Sequence, residues 1–239
     1  MLAAVLTFVV AVGSPLPASA PVRALVVTGG HDFERAPFEA MLRSLDGVEW
    51  REVSHPNAHA AWRPDAAREW DVLVLYDMPG SIGEEARSDL KRLLAEGKGV
   101  VALHHSLAGY PDWPEYEEII GGRYLLAPRV RDGVEQPAST YQHDVRFTVR
   151  VADRRHPVVR GVDDFVIEDE TYRGFVVSSR VRPLLTTTEA TSGSTIGWCK
   201  TYGRSRVVYL MLGHGPTAYE HPAFRRLVRQ AILWTARRR

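Results

Sequence analysis

The chain has 239 residues, of which 45% are hydrophobic and 25% are charged, and its formal net charge is +1. These proportions are those of an ordinary globular protein with a sizeable core, and the near-zero charge favours neither nucleic acid nor an anionic membrane as a partner. The single cysteine, Cys199, excludes an internal disulfide framework and a cysteine-rich zinc site.

The first twenty residues are typical of a secretory signal peptide. The run MLAAVLTFVVAV is uniformly apolar but too short to span a bilayer as an ordinary helix, and Ala18 and Ala20 form an A-x-A pattern. The sequence therefore predicts cleavage near Ala20, a secreted or periplasmic product without stable membrane insertion, and one domain over 21–239. The alternative, a buried first strand or helix, is disfavoured because VRALVVT at 22–28 already forms a complete strand.

The first half of the chain alternates between strand and helix patterns. Strands are predicted at 22–28, 47–53, 71–77 and 100–104, and helices at 33–45 and 83–99. The strand DVLVLYD is apolar almost throughout, which is typical of a strand buried on both faces of a parallel sheet. This order predicts an α/β fold with a mostly parallel, doubly wound sheet and helices on both faces.

The second half of the chain is rich in strand patterns joined by short loops. Strands are predicted at 144–152, 164–172, 182–190, 194–203 and 206–212, and an amphipathic helix at 221–236. Short connections favour antiparallel pairing, so the sheet is expected to gain an antiparallel or mixed extension.

Polar side chains follow the carboxyl ends of four predicted strands, where open parallel sheets bind their ligands. They are His31 and Asp32, then Asp77, then the His104-His105-Ser106 run, and finally His214. Histidine titrates near neutral pH and binds metals, so this edge of the sheet is the candidate site.

Two further segments contribute candidates to this edge. Glu170 and Tyr172 alternate along one strand and are expected on the same side of it, and His143 directly precedes another strand. Histidines combined with carboxylates suit zinc or a similar divalent ion.

Nucleophilic catalysis at Ser106 is a less favoured alternative. Asp169 or Glu170 followed by His214 gives the chain order of an α/β-hydrolase triad, but His104 and Ala108 stand where the G-x-S-x-G elbow requires glycine. Cys199 is interpreted as an ordinary strand residue.

The ordered set of segments resembles the ThuA-like family of trehalose-utilisation proteins. The matching segments are VVTGGHDF, DVLVLYD, GKGVVALHHS, WPEYEEIIGGRY, RRHPVVRGVDDFVIEDETY, GRSRVVYLMLGH and HPAFRRLVRQAILWTA. The resemblance implies a flavodoxin-like, class I glutamine-amidotransferase-like fold, and a link to trehalose-type disaccharides or their keto forms. Its motifs match His104, the Asp169-Glu170-x-Tyr172 segment and His214. Because histidine replaces the glutaminase cysteine, a cysteine-dependent glutaminase is not expected.

These observations predict a protein that acts on a small-molecule sugar or glycoside. The expected acid–base residues are His104, Glu170 and Asp32, and a divalent metal such as zinc is expected on some of His31, His104, His143 and His214. The expected sugar contacts are His31, Asp77, His105, Trp113, Tyr172 and His214. A non-catalytic carbohydrate-binding protein is the alternative from another functional class.

Overall fold

The computed structural model describes residues 20–238. The predicted leader, residues 1–20, lies outside the described residues except for Ala20. Among the described residues, no helix is both long and apolar enough to cross a membrane.

The described chain forms thirteen strands and five α-helices. The strands are β1 Val22–Gly29, β2 Val48–Ser54, β3 Val72–Asp77, β4 Gly99–Leu103, β5 Gly122–Arg123, β6 Arg129–Arg131, β7 Val134–Gln136, β8 Thr140–Val151, β9 Phe165–Arg173, β10 Val176–Val177, β11 Arg182–Thr186, β12 Thr195–Tyr202 and β13 Ser205–Leu210. The helices are α1 Arg35–Arg43, α2 Glu84–Glu96, α3 Pro114–Ile120, α4 Pro216–Glu220 and α5 Pro222–Thr235.

Nine strands form one sheet in the order β2-β1-β3-β4-β13-β12-β11-β8-β9. The first five are parallel to one another, and every remaining neighbouring pair is antiparallel. The order 2-1-3-4-5 is that of a flavodoxin-like sheet, with β13 in the fifth position. The predicted fold class is therefore confirmed, and so is the antiparallel extension in the second half.

The burial of the two central strands shows that the sheet is covered on both faces. Every residue of β3 and of β4 is buried, which is the pattern of parallel strands between two helix layers. The helix α5 packs on the central strands through a buried stripe at helical spacing, with members Phe224, Leu227, Val228, Ala231 and Ile232.

Some predicted boundaries are wrong by a few residues, and some elements were not predicted. The strand predicted to include His104 ends at Leu103, because His104 has a φ of 49° and cannot continue an extended strand. The segment at 54–70 contains two 3₁₀ helices, and α3 and α4 are too short to give a clear periodicity.

Candidate functional site

The turn after β4 places His104 at the carboxyl edge of the sheet. Its φ of 49° lies in the left-handed region, which is unusual for a residue with a side chain. A short 3₁₀ helix, His104–Ala108, follows at once. The buried guanidinium of Arg123 stabilises the far end of this turn by donating to the carbonyl oxygens of Gly109, Tyr110 and Trp113.

His104 meets Glu170 from β9 and His214 from the loop after β13. Nε2 of His104 lies 2.9 Å from Oε2 of Glu170 and 3.2 Å from Nδ1 of His214, and the last two atoms are 3.4 Å apart. The Nδ1–H group of His104 donates to the Met211 carbonyl at 2.6 Å, so Nε2 carries the lone pair of the neutral ring. Three lone-pair atoms this close repel one another unless a proton or a metal cation lies between them.

A buried carboxylate, Asp169, fixes the positions of two of these three side chains. Its Oδ1 accepts the backbone N–H groups of Glu170 at 2.9 Å and His214 at 3.0 Å, and its Oδ2 accepts that of Gly213 at 2.7 Å. Gly213 has a φ of 110°, and a Cβ there would lie 2.7 Å from the ring of Phe224, so only glycine fits.

A β-bulge directs His143 toward the same carboxylate. The pairing of β8 with β9 is regular up to Gln142 and resumes at Val145, and Asp144 between them has a φ of 55°. The bulge places Nδ1 of His143 at 3.1 Å from Oε1 of Glu170. Both oxygens of Glu170 therefore face histidines. Bulges of this kind often redirect a side chain beside a functional site.

The charges of the cluster follow from these contacts. Burial raises the pKa of Glu170, but the close contacts with the imidazoles of His104 and His214 outweigh this effect and hold that pKa well below its usual range. The hydrogen bond with Glu170 raises the pKa of His214 despite partial burial. Burial raises the pKa of Tyr172 well above 10, so its hydroxyl, 2.8 Å from Nε2 of His104, remains a proton donor.

The cluster forms one side of a cavity of about 370 Å³. Six predicted site residues line this cavity: His31, His105, His143, Glu170, Tyr172 and His214. His104 lies directly behind them and is completely buried. The remaining wall is aromatic and apolar and consists of Met78, Ala108, Tyr124, Leu126 and Tyr141, of which none was a predicted site residue.

Two imidazoles form the other polar part of the cavity wall. The rings of His31 and His105 stack with centroids 4.4 Å apart. The turn that carries His31 approaches β3 closely, because a Cβ on Gly30 would lie 2.3 Å from the Met78 carbonyl oxygen. Burial and the neighbouring histidines His104 and His31 lower the pKa of His105.

The structure places three predicted site residues outside this cavity. Asp32 lines a shallow neighbouring hollow with Phe33, Glu34 and His214. Asp77 is fully buried, and its Oδ2 lies 2.8 Å from Nε2 of His55. Trp113 is buried against Tyr110 and Tyr116, so its ring is not available to a ligand in the cavity.

The geometry supports neither Ser106, the less favoured nucleophile, nor Cys199, which the sequence indicates as an ordinary strand residue. Ser106 is completely buried, and its Oγ has no hydrogen-bond partner among the described residues, so no base activates it. Cys199 lies 3.5 Å from Nε2 of His156, but Nδ1 of that ring accepts the Val158 N–H and Nε2 therefore carries the proton. Burial raises the pKa of the Cys199 thiol to about 11, which leaves it unreactive.

A larger cleft of about 850 Å³ lies on another part of the surface. Charged and polar side chains such as Glu117, Arg180 and Lys200 line it, and none of the predicted site residues does. The smaller cavity is therefore the candidate site, because converging polar groups and perturbed pKa values mark functional pockets better than volume does.

Comparison with known proteins identifies the family. A family model named ThuA and described as trehalose utilisation matches residues 23–235. The chain belongs to the ThuA family. The site of this ThuA chain is thus built from the residues that carry the family resemblance, His104, Glu170, Tyr172 and His214.

Solved structures share the fold of this ThuA chain at low sequence identity. A ThuA-like protein from Parabacteroides merdae is 19% identical, with a TM-score of 0.75 and coverage of 90% of each chain. A ThuA-like protein from Bacteroides uniformis is 18% identical, with a TM-score of 0.68 and coverage of 93% of this chain and 95% of that one. A Salmonella typhimurium protein described as cytoplasmic is 14% identical, with a TM-score of 0.61 and coverage of 88% and 98%. A search of curated proteins finds no match.

Proposed function

We propose that this ThuA protein is an enzyme that transfers protons at a hydroxyl or carbonyl group of a sugar bound in the 370 Å³ cavity. The observation that carries the proposal is the convergence of His104, Glu170 and His214, whose ligand atoms lie 2.9–3.4 Å apart. These side chains come from three distant parts of the chain. A merely structural histidine does not require two further ionisable partners at this distance.

The same three atoms fit a divalent metal such as zinc. Their separations are close to the roughly 3.3 Å expected between ligands of a tetrahedral ion with bonds of about 2.0 Å. The bond from Nδ1–H of His104 to the Met211 carbonyl is the contact that orients metal-binding histidines and fixes their tautomer. A bound zinc ion would supply Lewis-acid polarisation of a sugar oxygen.

Glu170 is better suited to carry a negative charge at neutral pH than to accept a proton. Its pKa lies well below the usual range, so its carboxylate is a weak base at neutral pH. We therefore assign proton transfer to His143, whose side chain is 49% exposed. Its Nδ1 faces Oε1 of Glu170 at 3.1 Å, so we assign the role of the base to the other ring nitrogen, Nε2. The sequence predicted Glu170 as an acid–base partner, and the geometry favours an orienting role for it.

The rest of the cavity suits a sugar ring. Tyr124, Tyr141 and Tyr172 offer aromatic surface for its apolar C–H groups. The hydroxyls of Tyr124 and Tyr172 contact Ser139 and His104, which leaves the Tyr141 hydroxyl for the polar edge of the ring. Among the described residues that line the cavity, none is lysine or arginine. A phosphate or carboxylate group of a ligand would therefore find no lysine or arginine partner in the described part of the cavity wall.

Replacing His143 with glutamine is expected to lower turnover about 100-fold or more, because a positioned general base contributes at least that factor. The measurement is NMR of zinc-loaded protein with trehalose and its keto derivatives in D₂O, which follows deuterium incorporation and new products. Asp144→Asn is the matched control, since it lies on the same bulge and asparagine tolerates the positive φ.

Full turnover by His143→Gln would contradict the assignment of the base. Saturable binding of these sugars by the wild-type protein without any turnover would instead support the second candidate, a non-catalytic carbohydrate-binding protein. That candidate is favoured by the aromatic wall alone, which needs no ionisable cluster.

We also propose that residues 1–20 direct export of the protein. The apolar run and the A-x-A pattern ending at Ala20 support this. N-terminal sequencing of the chain from a secreting host is expected to begin at Pro21, and an intact Met1 would overturn it.

A further inference from the structure

His105 is a buried polar residue whose ring nitrogens have no hydrogen-bond partner in the part of the chain that the structure describes. Its side chain lines the cavity, yet the residue is only 3% exposed. Neither Nδ1 nor Nε2 has a hydrogen-bond partner among residues 20–238, and the backbone of Tyr76 is the polar group that influences the ring most directly. Unpartnered buried nitrogens cost free energy, so a buried ring of this kind calls for an explanation.

The surroundings of His105 hold its ring in place. His31 stacks on it at 4.4 Å and 18°, and the Tyr76 ring packs against it at 4.4 Å and 53°. These contacts occupy ring faces, whereas hydrogen bonds form at the ring edge. The protein thus fixes the orientation of this imidazole but leaves both ring nitrogens without hydrogen bonds, as expected for a side chain that binds a ligand.

The chemistry of the cavity restricts the group that can complete His105. A neutral imidazole offers one N–H donor and one lone pair, which matches a hydroxyl group, itself a donor and an acceptor. A carboxylate or phosphate would meet no lysine or arginine among the described lining residues, and it would face the Glu170 carboxylate.

We propose that His105 recognises an uncharged hydroxyl group of the ligand and thereby fixes the orientation of the ligand relative to Glu170 and His143. This inference rests on the proposed function, because it assumes that the ligand is a polyol. His105 acts here as a binding residue that is separate from the His104, Glu170 and His214 cluster.

The test is calorimetric titration of the full-length mature protein with trehalose, maltose and sucrose. His105→Phe keeps an aromatic ring for the stack and removes both nitrogens, so affinity for the bound sugar is expected to fall about tenfold. His105→Gln keeps a donor and an acceptor and is expected to retain most of the affinity. Zinc affinity is expected to remain unchanged in both variants, which shows that the fold and the cluster are intact.

Each remaining outcome overturns the inference in a recognisable way. Equal sugar binding by His105→Phe and the wild-type protein would mean that no hydrogen bond forms. An equal loss in both variants would mean that the shape of the ring matters and its nitrogens do not. If the wild-type protein binds none of the three sugars, the proposed function fails first and the inference with it.

Discussion

Glu170→Gln is expected to abolish stoichiometric zinc binding, with a loss of affinity of about 100-fold or more. The carboxylate supplies the only negative charge among the three converging ligand atoms of His104, Glu170 and His214. Its amide replacement is neutral and a much weaker ligand for zinc. Without this charge, a dipositive ion would be held by two neutral imidazole nitrogens alone, and no negative group of the cluster would balance its charge.

The measurement is a competition titration of the metal-free protein with zinc and a chromophoric chelator. Zinc is also expected to raise the unfolding temperature of the wild-type protein by an amount that grows with the logarithm of the affinity, because a ligand that binds only the folded state stabilises it. Glu168→Gln is the matched control, since Glu168 lies on the same strand and is exposed. It is expected to bind zinc as the wild-type protein does.

Unchanged zinc affinity in Glu170→Gln would show that the cluster is not the metal site. Absence of zinc binding by the wild-type protein would show that protons alone neutralise the crowded lone pairs. The histidine and carboxylate would then form an acid–base cluster without a metal, and the expected effect of His143→Gln would remain.

The position of the site was predictable because it depends on topology. Alternating strand and helix patterns imply a parallel sheet, and the carboxyl ends of parallel strands meet at one edge. His31, His104 and His214 follow three such strands, and the structure brings them to one side of the molecule. Period-two alternation likewise placed Glu170 and Tyr172 together on the cavity side of β9.

The contacts within the site were not predictable, because they depend on local backbone geometry and on residues distant in sequence. The direction of His143 is set by a bulge that involves Gln142 and Val145, and no sequence pattern identifies it. Asp77 also lies at a strand end, but its side chain turns inward to His55, a residue for which no role was predicted. Trp113 illustrates the same limit, since an aromatic residue near a strand end packs equally well in the core.

The role of Asp169 could not be predicted from the sequence for a related reason. Adjacent acidic residues at 168–170 are typical of a solvated strand, and no sequence pattern indicates that Asp169 accepts backbone N–H groups from a distant loop. The structure shows that Glu168 is exposed, Glu170 faces the cavity and Asp169 binds backbone N–H groups. A single strand thus carries a surface residue, a site residue and the group that positions the site.

Asp169→Ala is expected to destabilise the fold by about 3–5 kcal/mol, because it leaves two buried backbone N–H groups and one partly buried one without an acceptor. For a chain of this size, such a loss lowers the unfolding temperature by about 10 °C or more, measured by calorimetry. Asp164→Ala is the matched control. Asp164 accepts one backbone N–H, from Val151, at a partly exposed position, and its loss is expected to cost about 1 kcal/mol.

The same variant tests whether Asp169 positions the cluster as well as stabilising the fold. It anchors the backbone of both Glu170 and His214, so its removal is expected to weaken zinc binding about 10–100-fold at a temperature where the variant is fully folded. Wild-type zinc affinity in a destabilised Asp169→Ala protein would limit Asp169 to stability. Wild-type stability would show that these N–H groups find other acceptors, and that the loop after β13 does not depend on this carboxylate.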